Sequence, residues 1–458
     1  MARFIDIDAT PPRTIDFRGM FVWLLAGAML AGACLVSWYA LDPSGAKVTA
    51  QNAFASYYCA GGLARNRQDP YSASPQSNCE HAGTVVAPAA LPGYDIAPFA
   101  LAAFAPYRYA LIAWEALLFI AIVATLWALR ALTGLPRVAI AAALIATEAA
   151  GSLAFGQLAP IAVLGVALAG LSLTRNAPRS AAYSAGLALA LPQIGLPVVV
   201  AMFFFAPRTR WTLLLVLALF GAVSFLLLGP LQNLEYLRQA LPASLATDLA
   251  LPAQFSLAWV LNFFRDTAIP DALKYGALQY AAVVLLAVLF APRVARALDA
   301  PAALVAFPAA ATVLGGISAQ SFDLAAAIPF AILLASRPSR LRGAGWLALA
   351  LLAVPWNWWQ VGDAPEQSAL GAVALAIIVV AALHERPLVG RFAIALGAVA
   401  LLVTAPHLLR DLPAFWALLI ERTPGWLALL LLFCAGLATV PPRPADEEDE
   451  ELQMDGAF

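Results

Sequence analysis

Apolar runs of near-membrane length recur along almost the whole chain, and the turns between them are short and carry arginine. A helix needs roughly 20 mostly apolar residues to cross the hydrocarbon core of a bilayer. Runs of that kind lie near 20–41, 108–129, 138–155, 158–174, 211–229, 276–292, 301–315, 322–336, 344–357, 368–384, 392–408 and 424–440. Several fall short of a full crossing and suit tilted or protein-sheltered helices. Hydrophobic residues make up 62% of the chain and charged residues only 12%, which excludes an ordinary soluble domain. The mean hydropathy of +0.82 agrees. The pattern predicts an all-α polytopic membrane protein with about 12–14 transmembrane segments.

Arginine sets the expected orientation, because cytoplasmic flanks are enriched in positive charge. With the N-terminus (1–19) inside, Arg130 and Arg137, Arg175 and Arg179, Arg208 and Arg210, and Arg293 and Arg296 all fall in inner turns. Both termini are then cytoplasmic, and a bacterial inner membrane is the expected location. Residues 181–206 break this count, since both of their flanks want the inner face. Pro192 and Pro197 bracket a Gln-Ile-Gly stretch there, and each proline removes a backbone donor. A re-entrant segment or short hairpin accommodates both facts; one kinked helix is the other reading.

The longest polar stretch, 42–107, follows the first span (20–41) and falls outside the membrane in this topology, on the periplasmic side. The first run is too long for a signal-peptide core and is read as an uncleaved helix. Residues 441–458, with the acidic run Asp446 to Glu451, read as a solvated, disordered cytoplasmic tail. Of four cysteines, Cys34 and Cys434 sit in apolar runs as small buried hydrophobes. Cys59 and Cys79 share the outer loop, where an oxidising compartment permits a bridge. Closing about twenty residues would stabilise the loop by roughly 3 kcal/mol in the chain-entropy model. No metal-ligand spacing, phosphate-cradling glycine loop or dinucleotide-binding segment is present, so no cofactor and no nucleic acid partner is expected.

The loop reads Asn52-Ala53-Phe54-Ala55-Ser56-Tyr57-Tyr58-Cys59-Ala60-Gly61, then Asp69-Pro70-Tyr71, then Leu91-Pro92-Gly93-Tyr94-Asp95. It resembles the first extracytoplasmic loop of glycosyltransferase family 87, whose members typically read Asp-Phe-x-x-Tyr-Tyr-x-Ala-Gly, a spacer and Asp-Pro-Tyr. Downstream, Gly156-Gln157-Leu158 is similar to the family's Gly-Gln turn. Ala190-Leu191-Pro192-Gln193, Gln254-Phe255-Ser256-Leu257 and Ser318 to Pro329 also match in order and spacing, so the resemblance covers most of 20–340. It implies a GT-C-type bundle, with 108–340 as its core and 341–440 as added C-terminal helices. It also implies transfer of a hexose, often mannose, from a polyprenyl-phosphate donor to a glycan or glycolipid acceptor, among membrane lipids.

Two departures stand out. The family's loop Asp, the general base on the acceptor hydroxyl, aligns with Ala53, and the Lys or Glu often found before Pro192 is Leu191. A hydroxyl is a poor nucleophile until a carboxylate takes its proton, an effect worth about 10²–10⁴-fold. Asp95, where the loop returns to the membrane, is the leading substitute; a surface Asp after a Pro-Gly turn is the alternative. Asp69 is expected to initiate a turn. Among acids at membrane depth, Glu148 and Asp323 either line a shared cavity or are held neutral by neighbouring helices, and Glu115 is a weaker candidate. Arg108 either pairs with a lipid phosphate or anchors the interface. Tyr57 and Tyr58 either stack on sugar or sit in the interfacial belt. Gln157 and Gln254 complete the substrate-binding set by resemblance. Three functions stay open: a membrane glycosyltransferase, a transfer-inactive relative that binds lipid-linked sugar, and a secondary transporter.

Overall fold

The computed structural model describes residues 52–71, 89–146, 152–153, 156–249, 254–265, 267–338, 340–353, 365–385, 387–409 and 414–439. The expected first span at 20–41 and the acidic tail lie outside them. Among the described residues the protein is all helical, with one isolated antiparallel bridge between Gln254 and Gln320. It is an all-α membrane protein.

Two loop helices come first, α1 (Asn52–Arg65) and α2 (Gly93–Ala102). Then follow α3 (Tyr107–Thr133), α4 (Arg137–Ala146), α5 (Ala159–Thr174), α6 (Pro178–Ala188), α7 (Pro192–Phe205) and α8 (Arg210–Glu235). A π turn at Tyr236–Ala240 leads into α9 (Leu241–Leu249), and α10 (Leu257–Arg265) precedes α11 (Ile269–Ala297). The remainder is α12 (Ala303–Gly315), a 3-10 segment at Ser321–Ala327, α13 (Ile328–Ser336), α14 (Arg342–Leu352), α15 (Pro365–Ala382), α16 (Leu388–Leu409) and α17 (Ala414–Leu437).

Helix α12 is buried on every side and α13 nearly so, and both are apolar all round, as a central helix must be. The long helices α3, α8 and α11 instead expose large apolar side chains; Leu226 on α8 is 82% exposed. So continuous an apolar surface is stable only against lipid. Among the described residues, α3, α11 and the stretch from Pro207 through α8 and α9 are long and apolar enough to cross a bilayer. Eight further apolar helices or parts of helices, each of 10 to 17 residues, occur among the described residues. Cys434 corrects an expectation: its apolar run is present, but its thiol is free and exposed on α17 rather than buried.

Three local devices shape the side where the loop helices sit. First, α6 and α7 form a short hairpin. Pro192 begins α7 at its first position, where its missing N–H costs nothing, and the following Pro207–Thr209 turn packs on both arms. The arms close tightly because Gly195 lies against the backbone of Ala188 and Leu189. Secondly, α8 breaks at Gly229, whose φ of 73° only glycine adopts freely, followed by Pro230. Asn233 staples the break by donating to the carbonyls of Gly229 (2.6 Å) and Ser224 (3.0 Å) and accepting from Ser224 Oγ (2.7 Å). Thirdly, Gly93 at the start of α2 lies on Ser224, where a Cβ would come within 2.3 Å of Oγ. The loop is thereby seated on α8 beside the break.

Candidate active site

Helices α1 and α2 lie side by side because Gly61 meets the backbone of Phe99 and Ala100. One turn on, the Arg65 guanidinium donates to the Ala103 carbonyl and stacks on Phe104. This register runs the two helices in the same sense and sets Asp95 level with Tyr57, one turn from Ala53. Phe54, fully buried, packs against Phe99, Tyr107 and Trp114 at ring centroid distances of 6.2, 5.5 and 6.1 Å. Tyr58 donates to the Ala105 carbonyl (2.8 Å), which ties α1 to the start of α3. Asp69 accepts the N–H of Tyr71 at 2.9 Å, the turn-initiating role its motif predicts.

The Gly-Gln turn meets this loop directly. Gly156 has φ of 68°, and its carbonyl accepts from Trp114 Nε1 at 3.0 Å. Gln157 Oε1 accepts from the Tyr57 hydroxyl at 2.9 Å. Residues 100 positions apart in sequence are thus joined by a hydrogen bond. Tyr57→Phe removes this donor and leaves the half-buried amide oxygen unpaired. The expected cost is about 1–2 kcal/mol, read as a lower Tm of the purified protein in detergent.

Asp95 lies in the first turn of α2. An acid at that position commonly accepts the N–H of the capping residue. Here the cap is Pro92, which has no N–H, so this local role is closed to Asp95. The residue is 9% exposed, and Oδ2 has no hydrogen-bond partner. Burial pushes the carboxyl well above the usual carboxylate range. Its neighbour Tyr94 stacks on Phe220 (4.9 Å between centroids) and donates to the Leu189 carbonyl at the tip of the α6–α7 hairpin.

A second polar cluster forms where the bridge joins Gln254 to Gln320 and the N–H of Phe255 donates to the Ala319 carbonyl (2.7 Å). Gln254 Nε2 donates to Ser318 Oγ (3.3 Å), which donates to Asp248 Oδ2 (2.9 Å). Gln320 Nε2 donates to Asp248 Oδ1 at 3.0 Å. Asp323 caps the 3-10 segment, with Oδ2 accepting the N–H of Gln320 at 2.9 Å, while buried Oδ1 has no partner. Gln254 Oε1 is also buried without a partner.

Tyr57 lies within electrostatic range of both clusters. Burial first, then the carboxylates of Asp95, Asp323 and Asp248 in that order, push its phenol up. The two clusters together hold Asp95, Asp248 and Asp323 with the amides of Gln157, Gln254 and Gln320. Such an array of acceptors suits a ligand rich in hydroxyl donors.

Of the residues singled out in the sequence, Tyr57, Asp95, Gln157, Gln254 and Asp323 fall in these two clusters. Tyr58 serves the loop's anchorage. Arg108 is exposed in the first turn of α3, with no hydrogen bond or ion pair to a described residue. Cys59 is buried and disulfide-bonded; Cys79 and Glu148 lie outside the described residues. Asp248, Ser318 and Gln320 escaped assignment in the sequence. For Asp248 the only signal is an acid inside an apolar stretch, the same signal that marks Asp323.

Residues 94–317 match glycosyltransferase family 87. The match supports the resemblance drawn from the loop motifs, and family 87 indicates a glycosyltransferase. Its span begins at Tyr94 and takes in Asp95, Gln157, Asp248 and Gln254. It leaves out α1 with Tyr57, and everything from Ser318 onwards. No curated protein and no solved structure is significantly similar to the chain.

Proposed function

We propose that the chain is a membrane glycosyltransferase that moves a hexose, mannose in the first instance, from a polyprenyl-phosphate donor to an acceptor hydroxyl at the periplasmic face. In this reading the acceptor oxygen attacks the anomeric carbon, the bond from that carbon to the phosphate oxygen breaks, and polyprenyl phosphate leaves. The acceptor proton passes to Asp95. Tyr57, Gln157, Gln254 and Asp323 hold the hydroxyl groups of the sugar and acceptor, with Asp248 behind Ser318 and Gln320. The observation that carries the proposal is the buried Asp95 carboxylate, with an unpartnered oxygen, level with Tyr57 on the loop that the family resemblance marks.

Ala53 favours one second reading. A chain that lacks the family's usual base would bind lipid-linked sugar without transferring it. Purified protein incubated with radiolabelled polyprenyl-phosphate mannose, and with the glucose donor alongside, separates the two. Wild-type transfer that fails in Asp95→Asn supports the proposal. Donor binding without turnover supports the inactive relative, and solute uptake into proteoliposomes without either supports a transporter.

A further inference from the structure

Helix α17 lies wholly outside the family match, yet it reaches the site. Arg422 on this helix is fully buried, with 0% of its surface exposed. Burying a guanidinium in an apolar bundle is costly unless its charge and donors are used. Arg422 Nε donates to the Gln254 carbonyl at 2.8 Å, and the guanidinium carbon sits 4.1 Å from the centroid of the Trp259 ring. One turn further, Trp426 Nε1 donates to the Phe255 carbonyl at 2.9 Å. Residues four apart share a helix face, so α17 takes two consecutive carbonyls of one extended stretch. Between them, Gly425 lies against the Phe255 ring, where a Cβ would come within 2.7 Å of Cε1.

The same stretch faces the site on its other side. Phe255 donates its N–H to Ala319, and the Gln254 amide reaches Ser318 and through it Asp248. We infer that Arg422 and Trp426 are positioning residues, a clamp from the C-terminal helix that holds Gln254 and Phe255 in register with Ser318 and Gln320 so that Asp248 is correctly hydrogen-bonded. The catalytic part of this inference rests on the proposed glycosyl transfer; the clamp itself does not. Arginine suits the task because a flat guanidinium stacks on an aromatic face while donating in its own plane.

The test uses the full-length protein with Arg422→Gln and Trp426→Phe, the second of which keeps an aromatic ring and removes only the donor. Amide hydrogen exchange of a peptide covering Gln254 to Asn262 reports the clamp without any substrate. Each variant is expected to speed exchange at the Phe255 amide by about tenfold, the worth of one hydrogen bond, while peptides from α12 stay unchanged. In the transfer assay kcat is expected to fall about tenfold or more with the donor KM little changed. Combined with Asp248→Asn, Arg422→Gln should add almost nothing, because both act through one network. Unaltered exchange at Phe255 in both variants, or a kcat loss fully additive with Asp248→Asn, overturns the inference. Should the wild-type protein transfer nothing, the proposed function fails while the exchange result still decides the clamp.

Discussion

Asp95→Asn is expected to lower glycosyl transfer by about 10²–10⁴-fold, the usual worth of a general base, and at the same time to raise thermal stability at neutral pH. Both effects follow from one placement. The carboxyl is buried with an unpartnered oxygen, and burial raises its folded-state pKa above the unfolded value. For a carboxyl shifted in this direction, the stability contribution is complete below the unfolded pKa and is lost as pH rises through the folded one. The wild-type Tm should therefore decline with pH over that window, and the Asn variant should lack the decline. Activity runs the other way. A base must be deprotonated, so the rising limb of the wild-type rate profile should lie above the ordinary carboxylate range. Melting curves and transfer rates across pH check both. Loss of activity together with loss of stability would make Asp95 a structural residue, and an equally active Asn variant would remove it from the mechanism.

The second large effect contrasts two adjacent glycines. A Cβ at Gly61 would lie 2.3 Å from the Phe99 carbonyl carbon and 2.5 Å from the Ala100 nitrogen, both backbone atoms that cannot rotate away. Gly61→Ala must therefore push α1 off α2, at a cost of about 1–3 kcal/mol for overpacking, and transfer should fall with the displacement of Tyr57 from Asp95. A Cβ at Gly62 meets only the Ala103 Cβ at 3.8 Å, an ordinary contact. Gly62→Ala should gain up to about 1 kcal/mol from helix propensity and leave transfer intact. Tm and activity of the two variants in one detergent provide the comparison. Equal tolerance of both changes would show that the loop helices are not held by this contact.

Much of the helical framework was legible because hydrophobic runs and breakers act locally. The expected run at 158–174 is α5 to within a residue, and Pro192 marks the start of α7. Gly156-Gln157 is a turn, with the positive φ that glycine supplies. The run expected at 211–229 stops where Gly229 and Pro230 break α8, but the helix resumes, because Asn233 satisfies the backbone groups that the break frees. Cys434 shows the limit of such reading. An apolar run predicts a helix, but only its neighbours decide which face is covered.

From its sequence alone the chain is an apolar, all-helical membrane protein with motifs of a glycosyltransferase family, since composition and spacing need no partner to be read. The tertiary structure alone brought Tyr57 to Gln157, Asp248 to Ser318, and Arg422 to Gln254. Each pair lies 70 to 168 residues apart in the chain, or 100 in the case of Tyr57. No local propensity encodes such meetings. They arise because a buried polar group must find its partner wherever packing delivers one.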